Sequence, residues 1–269
     1  MKIGLALGGG GARGLAHLGV WQRLDELGVP IHCIAGTSIG AIAGAIIAAG
    51  RIQEALAWCA QPDWKKLPPL MFGNRLSSKA LMQGRRVEKL MAELIGVRDF
   101  NELALPFAAV ATDFHTGEPV VMREGDLLSA VRASMSIPGV FRPVERDGRI
   151  LIDGQLVDPV PVAACRAMGA DTVIAVDINP PNAAVATKPW PKVNIIDVLV
   201  GTVSIFNQAM TRHALSLNRP DVLIRPDVGD IWTLDFRHAD RLVALGRDAV
   251  DVAVKKLTNK KHPSCPCPK

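Results

Sequence analysis

Five short, almost uninterrupted apolar runs constrain this chain more than any other feature: Lys2–Gly8, Ile31–Ala35, Phe107–Thr112, Thr172–Ile178 and Val222–Arg225. A strand wetted on one face alternates apolar and polar residues. A strand covered on both faces does not, so these runs predict a parallel sheet with helices on either side. The stretches Leu15–Leu27, Ile39–Ala49, Ser78–Ile95, Asp126–Met135, Val160–Met168, Asn194–Leu217 and Ala239–Leu257 carry helical patterns. Strands alternating with helices build a layered α/β domain with right-handed crossovers. The 269 residues, 49% hydrophobic and 21% charged, supply one full core. Clustered prolines predict loops over Gln61–Arg75 and Pro180–Lys192. No repeat or linker divides the chain. The expectation is one domain over residues 1–257 and a basic, flexible tail over 258–269.

The net charge of +5 sits in that tail, because residues 255–269 hold five lysines and no acid. The rest of the chain sums to zero, so the basic balance comes from the tail and gives no sign of a nucleic-acid groove. With no tyrosine and 4% aromatics, base-stacking platforms are scarce as well. Five cysteines without framework spacing (Cys33, Cys59, Cys165, Cys265 and Cys267) fit a reducing compartment. Cys265 and Cys267, with His262 nearby, fit either a metal or modification site or a solvated C-terminal end. Glycines interrupt the apolar start, so it reads as a buried strand and not as a signal peptide. The run Ile39–Ala49 is well short of the roughly 20 residues that span a bilayer. A cytoplasmic protein, peripheral at most on the inner membrane face, is expected.

Chemistry concentrates in three places. Gly36-Thr37-Ser38-Ile39-Gly40 follows the second strand and opens an apolar helix, the setting of a nucleophile elbow. The turn strains Ser38 and exposes its hydroxyl, and the helix amides aim at the point where negative charge would develop. Gly8-Gly9-Gly10-Gly11-Ala12-Arg13-Gly14 follows the first strand. It contains the spacing of a dinucleotide loop, but the second strand ends in Ala35-Gly36 where a ribose-binding acid belongs, and no Lys-Ser/Thr follows for a Walker loop. Its other use is an oxyanion hole, with the Gly10 and Gly11 N–H groups facing Ser38. Arg13 fits either an ester phosphate or a surface ion pair at a helix start. Asp153 ends the apolar strand Arg149–Asp153, and two readings stay open for it: a general base, or the opening of an Asp-Gly turn. An ordinary Asp titrates near 3.9, too low for an efficient base, and desolvation would raise it. None of the six histidines (His17, His32, His115, His213, His238 and His262) stands in a catalytic setting.

Four blocks in order resemble the patatin-like phospholipase family, closest to the bacterial proteins related to neuropathy target esterase. They are Gly9-Gly10-Gly11-Ala12-Arg13-Gly14, Gly36-Thr37-Ser38-Ile39-Gly40, Ala133-Ser134-Met135-Ser136-Ile137-Pro138-Gly139-Val140-Phe141 and Asp153-Gly154-Gln155. The resemblance covers roughly Lys2 to Leu257. It implies a three-layer α/β/α sandwich with a mainly parallel central sheet. It also implies a Ser38–Asp153 dyad with no metal and no cofactor, hydrolysing phospholipid or lysophospholipid acyl esters through an acyl-enzyme. Gly9, Gly10, Gly11 and Ile39 would form the oxyanion hole, Arg13 would meet a phosphate, and Gly14, Gly36, Gly40 and Gly154 would support the motifs. Ser134 to Pro138 would buttress the site. The family's third motif has Gly or Ala after Asp-Gly, whereas Gln155 stands here and puts turnover rate in question.

Trp64, Leu70, Met71 and Phe72 beside Lys65, Lys66 and Arg75 make Gln61–Arg75 a candidate rim for an acyl chain or a membrane surface, or else a loop packing its own aromatics. Three rivals stand beside the hydrolase: an acyltransferase or thioesterase on the same elbow, a Ser-His-Asp hydrolase using His213, His238 or His262, and a lipid-binding module with a weak site.

Overall fold

A computed structural model describes residues 1–60, 78–179, 195–233 and 235–260. The expected loops over Gln61–Arg75 and Pro180–Lys192, and the tail beyond Lys260 with Cys265 and Cys267, lie outside the described residues. The five apolar runs form parallel strands β1 (Ile3–Leu7), β2 (Ile31–Thr37), β3 (Phe107–Asp113), β7 (Thr172–Val176) and β8 (Val222–Ile224). Three further strands, β4 (Pro119–Met122), β5 (Val144–Arg146) and β6 (Arg149–Asp153), run antiparallel to their partners. The hydrogen-bonded succession is β5-β6-β3-β2-β1-β7-β8, with β4 also paired to β3.

Helices cover both faces. Leu5, Leu7, Ile34 and Ala109 face a core built with α1 (Ala16–Glu26), α2 (Ile39–Ala48), α3 (Ile52–Ala60), α4 (Ser78–Ile95), α5 (Leu127–Ser134) and α8 (Ala239–Lys260). Their neighbours Ala6, Ala35, Ala108 and Val110 face the other way, toward α6 (Val162–Ala167) and the C-terminal half of α7 (Ile195–Leu217). The strands therefore bury both faces, which is why their sequences do not alternate. This is the expected α/β/α sandwich. No helix among the described residues is long and apolar enough to cross a membrane.

The pairing on β3 decides where the chemistry sits. β2 pairs with residues 107–110, β4 with 109–112 and β6 with 111–113. A strand has only two hydrogen-bonding edges, and β4 overlaps both other partners. β2 and β6 therefore share the opposite edge and run head-on toward each other, with Thr37 beside Val110 and Asp153 beside Ala111.

Candidate active site

The residue after β2 is Ser38, with φ 57 and ψ −122. This is left-handed backbone space that a side chain enters only under strain, of order 1–3 kcal/mol. The surrounding packing holds it there. A Cβ on Gly36 would strike the Gly40 carbonyl, one on Gly40 the Leu7 carbonyl, one on Gly14 the Ile39 side chain and one on Gly154 the Val110 carbonyl. The motif glycines thus let β1, β2, β3 and α2 approach to the distance the elbow requires. The Ser38 N–H donates to Ser134 Oγ at 2.8 Å, and that hydroxyl donates to the Val110 carbonyl at 2.6 Å.

Asp153 arrives from the opposite direction. Its N–H donates to the Ser136 carbonyl at 3.1 Å, and its own carbonyl accepts from Thr112 Oγ1 at 2.8 Å. Ser38 Oγ donates to Asp153 Oδ2 at 2.7 Å, while Oδ1 accepts from the Gln155 N–H at 2.9 Å. The two side chains, 115 positions apart, are 2% and 1% exposed. Desolvation pushes the Asp153 carboxyl up to about 6, against the hydrogen bonds from Gln155 and Ser38 that favour the charged form. A carboxyl ionised at neutral pH, yet basic enough to take a serine proton, results.

Ser38, Ile39 and Gly11 share the wall of a cavity of about 130 Å³, with Ile42, Ile46, Trp58, Met91 and Phe236 among its apolar lining residues. Among the described residues no histidine lines it. His17 is fully buried in α1, where its Nε2–H donates to the Gly8 carbonyl at 2.7 Å; burial pushes its pKa down to about 4, so it stays neutral.

Two expectations for the glycine loop need correction. The Gly9 N–H is taken by the Pro159 carbonyl at 3.0 Å, so it is not a free oxyanion donor; the Gly10 and Gly11 N–H groups have no partner among the described residues. The Ile39 N–H opens α2, where a helix leaves its first amides unpaired. Arg13 is not at the surface. It is 2% exposed, its Nε donates to the Ile231 carbonyl at 2.7 Å, and desolvation lowers its pKa to about 10 against the attraction of Asp230. A phosphate would have to reach a guanidinium that is almost wholly enclosed.

The Gln155 side chain does reach the carboxylate: besides its backbone N–H, it hydrogen-bonds Asp153 and favours the charged form. The same side chain packs against Gly9, and its Oε1 accepts from Asn207 Nδ2 on α7 at 3.2 Å. Sequence reasoning also missed Arg132. Its Nε donates to Glu88 on α4 at 3.0 Å, Nη1 to Ser136 Oγ at 2.8 Å and Nη2 to the Arg142 carbonyl at 3.1 Å. The guanidinium lies 5.1 Å from the centroid of Phe141, another cavity residue. One side chain thereby fastens α4, α5 and the 136–142 loop around the cavity. A lone arginine on a helix carries no signal of this in sequence.

The patatin-like phospholipase family model matches residues 5–166. An NTE family protein of Mycobacterium tuberculosis, named as uncharacterized, is 39% identical over 217 residues, 80% of this chain and 60% of that protein. Patatin-like phospholipase domain-containing protein 6 of Mus musculus is 36% identical over 184 residues, 66% of this chain and 13% of that protein. Among solved structures, VipD from Legionella pneumophila superposes with a TM-score of 0.54 at 14% identity, covering 95% of this chain and 66% of its own, a likeness of fold. The chain spans about three-fifths of the length of the mycobacterial relative.

Proposed function

The chain belongs to the patatin-like phospholipase family, and from that premise we propose that it hydrolyses acyl esters of phospholipids or lysophospholipids with Ser38 as nucleophile and Asp153 as general base. The observation that carries the reading is the 2.7 Å hydrogen bond from Ser38 Oγ to Asp153 Oδ2 on the wall of an apolar cavity. An acyl chain gains about 0.8 kcal/mol per CH₂ by leaving water, so the cavity lining favours an aliphatic ester.

The sequence of steps follows from the groups present. Asp153 takes the Ser38 proton as Oγ attacks the ester carbonyl. The carbonyl oxygen becomes an oxyanion, stabilised by the N–H groups of Gly10, Gly11 and Ile39. As the tetrahedral intermediate collapses, Asp153 returns the proton to the departing alkoxide, leaving the acyl group on Ser38. Water then repeats the cycle with Asp153 again as base. Contact with a membrane surface belongs to this proposal, on the apolar and basic composition of residues 61–75, which lie outside the described residues.

A fluorophosphonate probe tests the assignment. The adduct is expected on Ser38, with labelling and turnover of lysophospholipid, phospholipid and short-chain esters lost in Ser38→Ala. Labelling elsewhere, or full turnover in Ser38→Ala, would overturn it. Transfer of the acyl group to an added alcohol or thiol in place of water would recast the enzyme as a transferase.

A further inference from the structure

The glycine loop holds two consecutive peptide groups in different ways, and the difference concerns the oxyanion hole. In the peptide joining Gly8 and Gly9, the carbonyl accepts from His17 and the N–H donates to Pro159. Both ends are bonded. In the peptide joining Gly9 and Gly10, the carbonyl accepts from Asn179 Nδ2 at 2.5 Å, and the N–H has no partner among the described residues. Only the nitrogen of a side-chain amide can donate to a carbonyl, so this contact fixes which way the Asn179 amide faces.

A trans peptide is planar, with its C=O and the following N–H pointing in opposite directions. Asn179 follows β7, which flanks β1 on the side away from β2. Drawing the Gly9 carbonyl toward β7 therefore turns the Gly10 N–H toward the β2 side, where Ser38 follows the end of that strand. Gly10 has φ 157 and ψ 24, and the torsions on either side of this peptide both belong to glycines, so little intrinsic preference opposes its rotation. Rotated, it would aim the Gly9 carbonyl at a developing negative charge.

Asn179 is itself held. Its N–H donates to Asp177 Oδ1 at 3.0 Å, and Arg225, just past β8, donates from Nε to Asp177 Oδ2 at 3.0 Å. A chain of polar contacts thus runs from the edge of the sheet through β7 to the loop. We infer that Asn179 is a positioning residue for the oxyanion hole: by holding the Gly9 carbonyl it sets the direction of the Gly10 N–H without touching substrate. This rests on the hydrolase reading above.

The test compares wild type with Asn179→Ala, Asn179→Asp and Asn179→Gln on a soluble short-chain ester. Each rate is normalised to active sites titrated to completion with a fluorophosphonate, so that instability does not imitate the effect. Affinity is measured for a trifluoromethyl ketone, which forms a tetrahedral adduct on Ser38, and for the matching alcohol, which fills the cavity without an oxyanion. Removing one oxyanion donor slows catalysis by about 10²–10³-fold. Asn179→Asp, which sets an oxygen against the Gly9 carbonyl, is expected in that range. Asn179→Ala, which only removes the anchor, is expected to lose about 10–100-fold in kcat. KM and alcohol affinity should stay within about twofold while ketone affinity falls in parallel with kcat, a split that a merely structural role would not produce. Asn179→Gln keeps the donor and should recover most of the loss. A kcat in Asn179→Ala within about threefold of wild type, or a loss that the ketone does not follow, would overturn the assignment alone. A wild type that neither titrates at Ser38 nor turns over would overturn the hydrolase reading and this inference with it.

Discussion

Replacing Asp153 by asparagine should lower turnover by orders of magnitude and stabilise the protein, and the second effect can be worked out from the structure. Desolvation raises the carboxyl from 3.8 to about 6 in the fully buried site. Between those two values the folded protein keeps a proton that the unfolded chain has released, so stability drains away as pH rises through the window. Each pH unit is worth 1.36 kcal/mol, which makes the full loss above pH 6 about 3 kcal/mol. The neutral amide in Asp153→Asn has no proton to lose. Its Oδ1 can still accept from the Gln155 N–H, and its Nδ2 can donate to Ser38 Oγ, so these two contacts of the carboxylate are kept in kind. Urea unfolding at pH 8 should therefore show Asp153→Asn more stable than wild type by up to about 3 kcal/mol, with the gap shrinking below about 1 kcal/mol near pH 4. Loss of a general base lowers kcat by about 10²–10⁴-fold in the same protein. A variant less stable than wild type at pH 8, or a gap identical at both pH values, would refute the argument that burial strains this carboxylate.

Other outcomes follow from the same geometry. Because Asp153 must be ionised to act, kcat/KM should fall below an inflection near pH 6, reaching about a tenth of its plateau near pH 5; a profile flat through pH 6 would contradict this. Ser38→Gly removes the side chain from left-handed backbone at φ 57, and should lose all turnover while gaining about 1 kcal/mol in thermal or urea unfolding. Cys59 lines the cavity, so Cys59→Phe should lower the rate on long-chain esters by about tenfold or more and leave a butyrate ester within about twofold; equal losses on both would count against an acyl site there.

The layered fold was legible because every central strand is covered twice, and uninterrupted apolarity records that coverage directly. Strands β4 and β5 left little trace, being short and largely exposed at the periphery of the sheet. Helix α3 was missed because only Ala55 and Cys59 are fully buried, too few to mark a stripe. The Ser38–Asp153 pairing was readable from motif order, not from any local property of Asp153. What one sequence does not carry is contact with backbone oxygen. Pro159 occupies the Gly9 amide and Ile231 holds Arg13 across 218 positions, and a carbonyl is the same at every residue. Asn179 did leave a faint sign, since polar residues just past a buried strand of an α/β sheet sit where such sheets bind ligands.

The meeting of β2 and β6 on a single edge of β3 makes the dyad a question of alignment between two butt-jointed rods. β3 brings Ala109, Val110 and Ala111 to the joint, no reactive group, yet its backbone sets the gap between them. Were β6 to slide by one residue, every side chain on it would change faces, and Ile152 would arrive where the carboxylate belongs. Damage to the splint, away from Ser38 and Asp153 themselves, would therefore part the two side chains and, on the proposed reading, end turnover as completely as Ser38→Ala.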